Sequence, residues 1–154
     1  AFISTEIILR WYFYYRNLWH QSCTSWLVQQ ANSIQSTRDE IYALLTGLKS
    51  GEKRICAYGA PAKATTLMYH FGLDKNLIDY IVDDNPLKQG LYSPGLHIPI
   101  VDAARFYEDK PDYLLILAWN FSSAIMKNHQ HFLTGGGRFI VPLPELKVVK
   151  GGNN

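Results

Sequence analysis

Three loop positions hold the residues whose types and spacing could do chemistry. The first is Gly59-Ala60-Pro61-Ala62-Lys63, directly after the apolar run Arg54-Ile55-Cys56-Ala57-Tyr58. Gly59 permits a tight turn, and Pro61 presets φ for a first helical turn. A helix starting there offers free amides near Ala62, Lys63 and Ala64, and its dipole favours an anion. Lys63 adds a full positive charge, and Thr65 or Thr66 adds a hydroxyl. The same residues also describe a plain strand-to-helix connection with a solvated lysine, and one G-x-P-x-K leaves both readings open. The second position is Asp83, 24 residues after Gly59 at the end of another apolar run. An acid placed there takes a ribose diol in dinucleotide folds. Asp83-Asp84-Asn85-Pro86 is equally a turn starter, because Asp and Asn side chains accept from the backbone just ahead of them. The third is Trp119-Asn120, which closes the most apolar run of the chain. Asn120 suits a base or a sugar hydroxyl. Trp119 suits stacking on a ligand or plain packing.

Other chemistries lack their residues. No H-x-x-x-H, D-x-D or G-x-S-x-G occurs, and no Ser, His and Asp fall into a triad-like set. His129 and His131 are two apart on an expected helix, which turns them to different sides and makes a poor metal pair. His70 and His97 read as structural or solvent-facing. Ala60 and Ala62 stand where a dinucleotide fingerprint needs glycine. Cys23 and Cys56 form no C-x-x-C, so neither a zinc site nor a disulfide framework is expected, and Cys56 reads as a buried, inert thiol. A net charge of +2 without a basic run gives no electrostatic case for nucleic acid.

These positions need elements to hold them. Trp26 to Lys49 reads as a leading helix, with Leu27, Ile34, Ile41, Leu44, Leu45 and Leu48 near helical spacing. Thr37-Arg38-Asp39-Glu40 marks a break within it carrying a fresh cap. Strands are expected at Arg54–Tyr58, Leu77–Val82, Ile98–Val101, Tyr113–Ala118 and Arg138–Val141, with a further edge strand in Leu143–Val149. Helices are expected over Ala62–Phe71 with Gly72 as stop, over Asp102–Tyr107 with Asp102 as cap, and from a Ser122 or Ser123 cap to Leu133. Pro99 places its strand at an edge or a strand start. Strands that alternate with helices and are apolar throughout, rather than every second residue, are parallel strands covered on both faces. The expected fold is an α/β, Rossmann-like three-layer sandwich with a mostly parallel sheet, preceded by a long helix. At 154 residues and 47% hydrophobic, the chain suffices for one such core. In an open parallel sheet, ligands bind beyond the carboxyl ends of the strands, where all three loops lie.

Read together, "YGAPAKATTLMYHFGL" and "IDYIVDDNPLKQGLYSPGLHIPI" resemble the C-terminal domain of SAM-dependent sugar C-methyltransferases, and "PDYLLILAWNF" and "GGGRFIVPLPELKVV" continue the likeness in order. The similarity covers roughly residues 38–149. It implies a Rossmann-like domain at 50–149 that helps bind a nucleotide-linked deoxysugar of the dTDP type, or closes the active site over it. A zinc-binding domain and a SAM-binding domain carrying the acid and base would precede it in such an enzyme. The resemblance therefore implies no catalytic residue and no cofactor in this chain, with S-adenosylmethionine and zinc held by the other domains. Its partners would be the nucleotide-sugar and the SAM-binding domain, with no nucleic acid and no membrane. On matching loops, Gly59, Ala60, Pro61, Lys63, Asn85, Lys88, Trp119 and Asn120 are the substrate-binding residues it suggests. The alternatives are a stand-alone nucleotide-binding module, which the missing glycines disfavour, and a purely structural docking unit in which Lys63 and Lys88 are ordinary surface charges. Residues 1–25 are left unassigned: Glu6, Arg10 and Arg16 interrupt any span of membrane length. The expectation for them is a piece cut from a longer protein, with a membrane-surface helix as the sharper reading. A cytoplasmic location is the default, and 150–154 is expected to be a disordered tail.

Overall fold

A computed structural model of the chain describes residues 34–151. Expectations for residues 1–25, for the start of the leading helix and for the last three residues lie outside that range. The chain divides after Ser36 into two units, and the second, from Thr37, is the α/β unit described below.

Helix α1 occupies 34–50. It runs unbroken through Thr37-Arg38-Asp39-Glu40, so the expected break there is absent. Intrahelical bonding across those residues outweighs their local capping tendency. Ile41 and Leu45 are fully buried, and Leu44 and Leu48 pack beside them, a stripe at helical spacing. Strand β1 (Ile55–Tyr58) leads into α2 (Ala62–Phe71). Gly72 stops that helix in the left-handed region at φ 67°, a conformation glycine adopts without a Cβ clash. Ala64, Leu67, Met68 and Phe71 are its buried face, spaced i, i+3, i+4, i+7.

Strands β2 (Ile81–Val82) and β3 (Ile100–Val101) follow, then α3 (Ala103–Asp109) and β4 (Tyr113–Ile116). The expected strand from Leu77 is shorter than its apolar run. Asp74 accepts from the amides of Asn76 and Leu77 and bends the chain into a turn there. Even so, the amide of Asp79 donates to the Ile55 carbonyl and carries the pairing back one step. Asp102 caps α3 by accepting from the Arg105 amide at 3.0 Å, as its position implies.

The stretch expected as one helix from Ser122 or Ser123 to Leu133 is two pieces, α4 (Ser122–Asn128) and α5 (Gln130–Thr134), separated at His129, and a 3-10 turn, Trp119–Phe121, precedes them. Phe121, rather than Ser122 or Ser123, stands at the cap of α4, with no side-chain capping bond. The 3-10 turn has already wound the chain, so Ser122 is the first residue of α4 rather than its cap. Strand β5 (Arg138–Val141) and the edge strand β6 (Lys147–Lys150) complete the unit.

The sheet order is β3-β2-β1-β4-β5-β6; all pairs are parallel except β5 with β6. Pro99 precedes the edge strand β3, where a missing ladder donor costs least. Alternate residues feed two cores. Ile55, Ala57, Ile81, Leu115 and Ile140 pack with α1 and α2 on one face. Cys56, Tyr58, Val82, Leu114 and Phe139 pack with Phe106, Ile125 and Phe132 from α3, α4 and α5 on the other. This is the three-layer sandwich that continuous apolar strands imply.

Candidate functional site at the carboxyl edge of the sheet

Strands β1 and β4 are neighbours, yet their following helices lie on opposite faces of the sheet. That is the switch point where open α/β sheets bind ligands. Here the two loops nearly touch. Gly59 has φ 88°, and a Cβ on it would lie 2.7 Å from the Ala118 Cβ. The glycine is thus required twice, for its positive φ and for the close approach. Just beyond, the Lys63 ammonium sits 4.1 Å from the centre of the Trp119 ring. It spans the crevice and places its charge on the face of the indole, a contact worth about 0.5–1 kcal/mol at an exposed site. Pro61 holds the capping position of α2 rather than its first turn, with φ −67° and ψ 158°. The extended ψ is the reason: Pro61 turns the chain into the helix and leaves Ala62 to begin it. The Ala64 amide donates to the Pro61 carbonyl at 2.8 Å, so of the first-turn amides those of Ala62 and Lys63 precede any intrahelical acceptor.

Asp83 is 7% exposed and ties two loops together. Its Oδ2 accepts from the Ala60 amide at 2.7 Å and its Oδ1 from the Asn85 amide at 2.9 Å. Lys88 donates to the same Oδ2 at 3.2 Å and to the Ala60 carbonyl at 2.9 Å, and Gln89 donates to the Asp83 carbonyl. Burial opposes the Asp83 charge, but the amides of Ala60 and Asn85 and the Lys88 ammonium outweigh it, so the carboxyl titrates below its ordinary range. Of the two readings of Asp83, the geometry matches the turn: both of its oxygens are taken by the backbone. Asn85 accepts from the Leu87 amide at 3.0 Å and starts a second such turn. A pocket of about 230 Å³ lies between the first turn of α2 and this loop, with Pro61, Thr65, Met68, Lys88, Tyr92 and Pro94 in its wall.

On the opposite face, at the same edge, lies a hydrogen-bonded chain that no sequence motif announces. The Tyr58 hydroxyl lies 2.7 Å from each oxygen of Asp84. His129 Nε2 is 2.9 Å from that hydroxyl, and His129 Nδ1 is 2.6 Å from the Tyr107 hydroxyl. A carboxylate only accepts, so Tyr58 donates to Asp84; Nε2–H then donates to Tyr58, and Nδ1 accepts from Tyr107. Burial lowers the His129 pKa, with Asp84 partly opposing the shift. Burial and then Asp84 raise both tyrosines. The histidine is therefore neutral at pH 7. His129 is buried and His131 exposed, which agrees with their expected divergence, although the helix break at His129 rather than helical phase sets it.

Of the residues expected to bind substrate, Gly59, Ala60, Pro61 and Lys63 share the β1–α2 turn, and Trp119 joins them through Lys63. Lys88 reaches the same turn through the Ala60 carbonyl. Asn85 lies on the loop behind it and Asn120 is exposed in the 3-10 turn. The residues that sequence reasoning missed are Tyr58, Asp84, Tyr107 and His129. The available hints were the doubled acid after β2 and a tyrosine hydroxyl closing an otherwise apolar β1.

Fold and edge together define a Rossmann-like α/β domain with a tightened switch-point crevice and a polar rim. The family model of the C-methyltransferase C-terminal domain matches residues 23–144. The chain is also 40% identical over 119 residues to the C-methyltransferase NovU of Streptomyces niveus. That alignment takes in 77% of this chain and 28% of NovU, so the chain spans little more than a quarter of the length of this relative. The chain belongs to the C-methyltransferase C-terminal domain family.

Proposed function

We propose that this domain serves a SAM-dependent C-methyltransferase acting on a nucleotide-linked deoxysugar of the dTDP type, and that its carboxyl edge contributes to substrate binding or to closing the active site. The observation that carries the reading is the Lys63–Trp119 pair across the switch point, in a chain 40% identical to a C-methyltransferase. A cation beside the first turn of α2 suits a diphosphate, and the indole beside it suits a base or sugar face. Gly59, Ala60 and Pro61 would bring backbone close to that ligand, with Asn85, Lys88 and Asn120 at its rim. Exposed Leu87, Leu91 and Phe121 offer the SAM-binding domain an apolar face around the same edge. In this reading the methyl donor, the zinc and the base that removes the proton α to the sugar ketone belong to other parts of the enzyme, in a cytoplasmic setting.

A second reading, a docking unit without ligand, draws support from the Gly59–Ala118 approach that narrows the crevice. Calorimetric titration of the chain with a dTDP-sugar separates the two. Weak binding that Lys63→Ala lowers several-fold, with no heat from SAM or NADH, is the expected result. No heat with any nucleotide favours docking, and tight NADH binding overturns the methyltransferase reading.

A further inference from the structure

The aspartates between Asp74 and Asp112 sort into two kinds. Asp74, Asp79, Asp83, Asp102 and Asp112 each accept from a backbone amide. Asp109 accepts from the Arg105 guanidinium. Asp84 does neither. Its side-chain partner among the described residues is a neutral hydroxyl, that of Tyr58. It is nevertheless exposed, and it stands at the end of β2 on the edge where open sheets bind ligands.

We propose that Asp84 is a ligand-binding carboxylate that accepts the hydroxyl groups of a sugar, and that Tyr58, His129 and Tyr107 are positioning residues that hold it for that purpose. The inference rests on the nucleotide-sugar reading above and names a contact within it. Three features carry it. Tyr58 lies 2.7 Å from both carboxylate oxygens, filling the fork between them and leaving the outer lone pair of each to solvent. Tyr58 is itself fixed by His129, and His129 by Tyr107, so three elements (β1, the α4–α5 break and α3) converge on one carboxylate. Rings pack the chain as well: Tyr58 and His129 meet edge-on at 4.7 Å, and Phe106 lies against His129 at 5.8 Å. The two outer lone pairs diverge, so each can accept one hydroxyl of a sugar lying alongside, while the fork between the oxygens stays with Tyr58. Asp83, for which sequence position left a ribose diol and a turn equally open, has both oxygens bonded to the backbone. The next residue, on the other face of the sheet, is the carboxylate that keeps outer lone pairs open to solvent.

The test uses the full chain and its Asp84→Asn and Tyr58→Phe variants, titrated with a dTDP-sugar while the ring nitrogens of His129 are followed by ¹⁵N NMR. Asn keeps an acceptor for Tyr58 but loses the charge, and Phe keeps the ring but loses the bond to the carboxylate. The expected result is about tenfold or more weaker binding for Asp84→Asn and a smaller loss for Tyr58→Phe. The sugar should also shift the His129 Nε2 signal in the wild type and in neither variant; a purely structural chain would not respond to ligand. Equal affinity of wild type and Asp84→Asn, with a silent histidine, overturns the role of Asp84 and leaves the nucleotide-sugar reading standing. Absence of binding by the wild type overturns both.

Discussion

Replacing Asp83 by alanine removes the clamp between the β1–α2 turn and the 83–97 loop. Two amide donors, those of Ala60 and Asn85, lose a charged acceptor at 2.7 and 2.9 Å. A hydrogen bond to a charged group contributes about 1.5–3 kcal/mol, and a donor stranded in a buried place costs in the same range. The Ala60 amide is the more sheltered of the two, whereas Asn85 is exposed and its amide can turn to water. The Lys88 pair adds less than about 1 kcal/mol, because the lysine side chain keeps 37% of its exposure. The expected loss is therefore about 3–4 kcal/mol, a large fraction of the 5–15 kcal/mol typical of a domain. For a unit of this size, that is a fall in Tm of roughly 12–16 °C. Urea and thermal unfolding followed by circular dichroism at pH 7 read it directly.

The pH dependence supplies the second half of the test. The folded carboxyl titrates below its unfolded value of about 3.9. Its stabilisation is therefore fully present above that unfolded value and is lost as pH falls through the lower folded one. The gap in stability between wild type and Asp83→Asn should be constant from pH 7 to 5 and shrink at more acid pH. A loss under about 1 kcal/mol for Asp83→Ala at pH 7, or a gap that does not change on acidification, would refute the clamp.

Two further outcomes follow from the same geometry. Gly59→Ala should cost about 2–4 kcal/mol, from a positive φ and from the clash with Ala118; adding Ala118→Gly should restore only the clash part, leaving a double mutant of intermediate stability in urea. Cys56 is fully buried and its thiol pushed up by burial, so peptide mapping after treatment with a thiol reagent at pH 8 should find it unlabelled in the folded protein and labelled in urea. Rapid labelling without denaturant would mean that β1 opens locally.

The sequence was most legible where a local rule and the fold agree. Apolar runs without alternation are what strands buried on both faces need, and the two cores, one on each side of β1 and β4, follow from that. Gly72 and Asp102 ended and began their helices where a left-handed stop and a side-chain acceptor belong. Local rules failed where a tertiary bond outbid them. Ser122 is a good cap by type, but the 3-10 turn before it had already started the winding. The helix through Leu133 is interrupted at His129, whose imidazole is bonded to Tyr58 and Tyr107 instead.

The site divides along the same line. Chain order alone brings Gly59, Lys63, Asp83 and Trp119 to one edge, because parallel strands joined by crossovers put every strand-end loop on the same side. Which of those groups remain available to a ligand is decided by side-chain geometry. Asp83 and Asp84 are adjacent and chemically identical, yet successive residues point to opposite faces of the sheet. One meets a backbone amide of the neighbouring β1–α2 turn and the other meets a tyrosine. Tyr58, Asp84, Tyr107 and His129 are spread over more than seventy positions, and no periodicity links them. Only the packing of α3 and the α4–α5 break against the ends of β1 and β2 makes them one chain of hydrogen bonds.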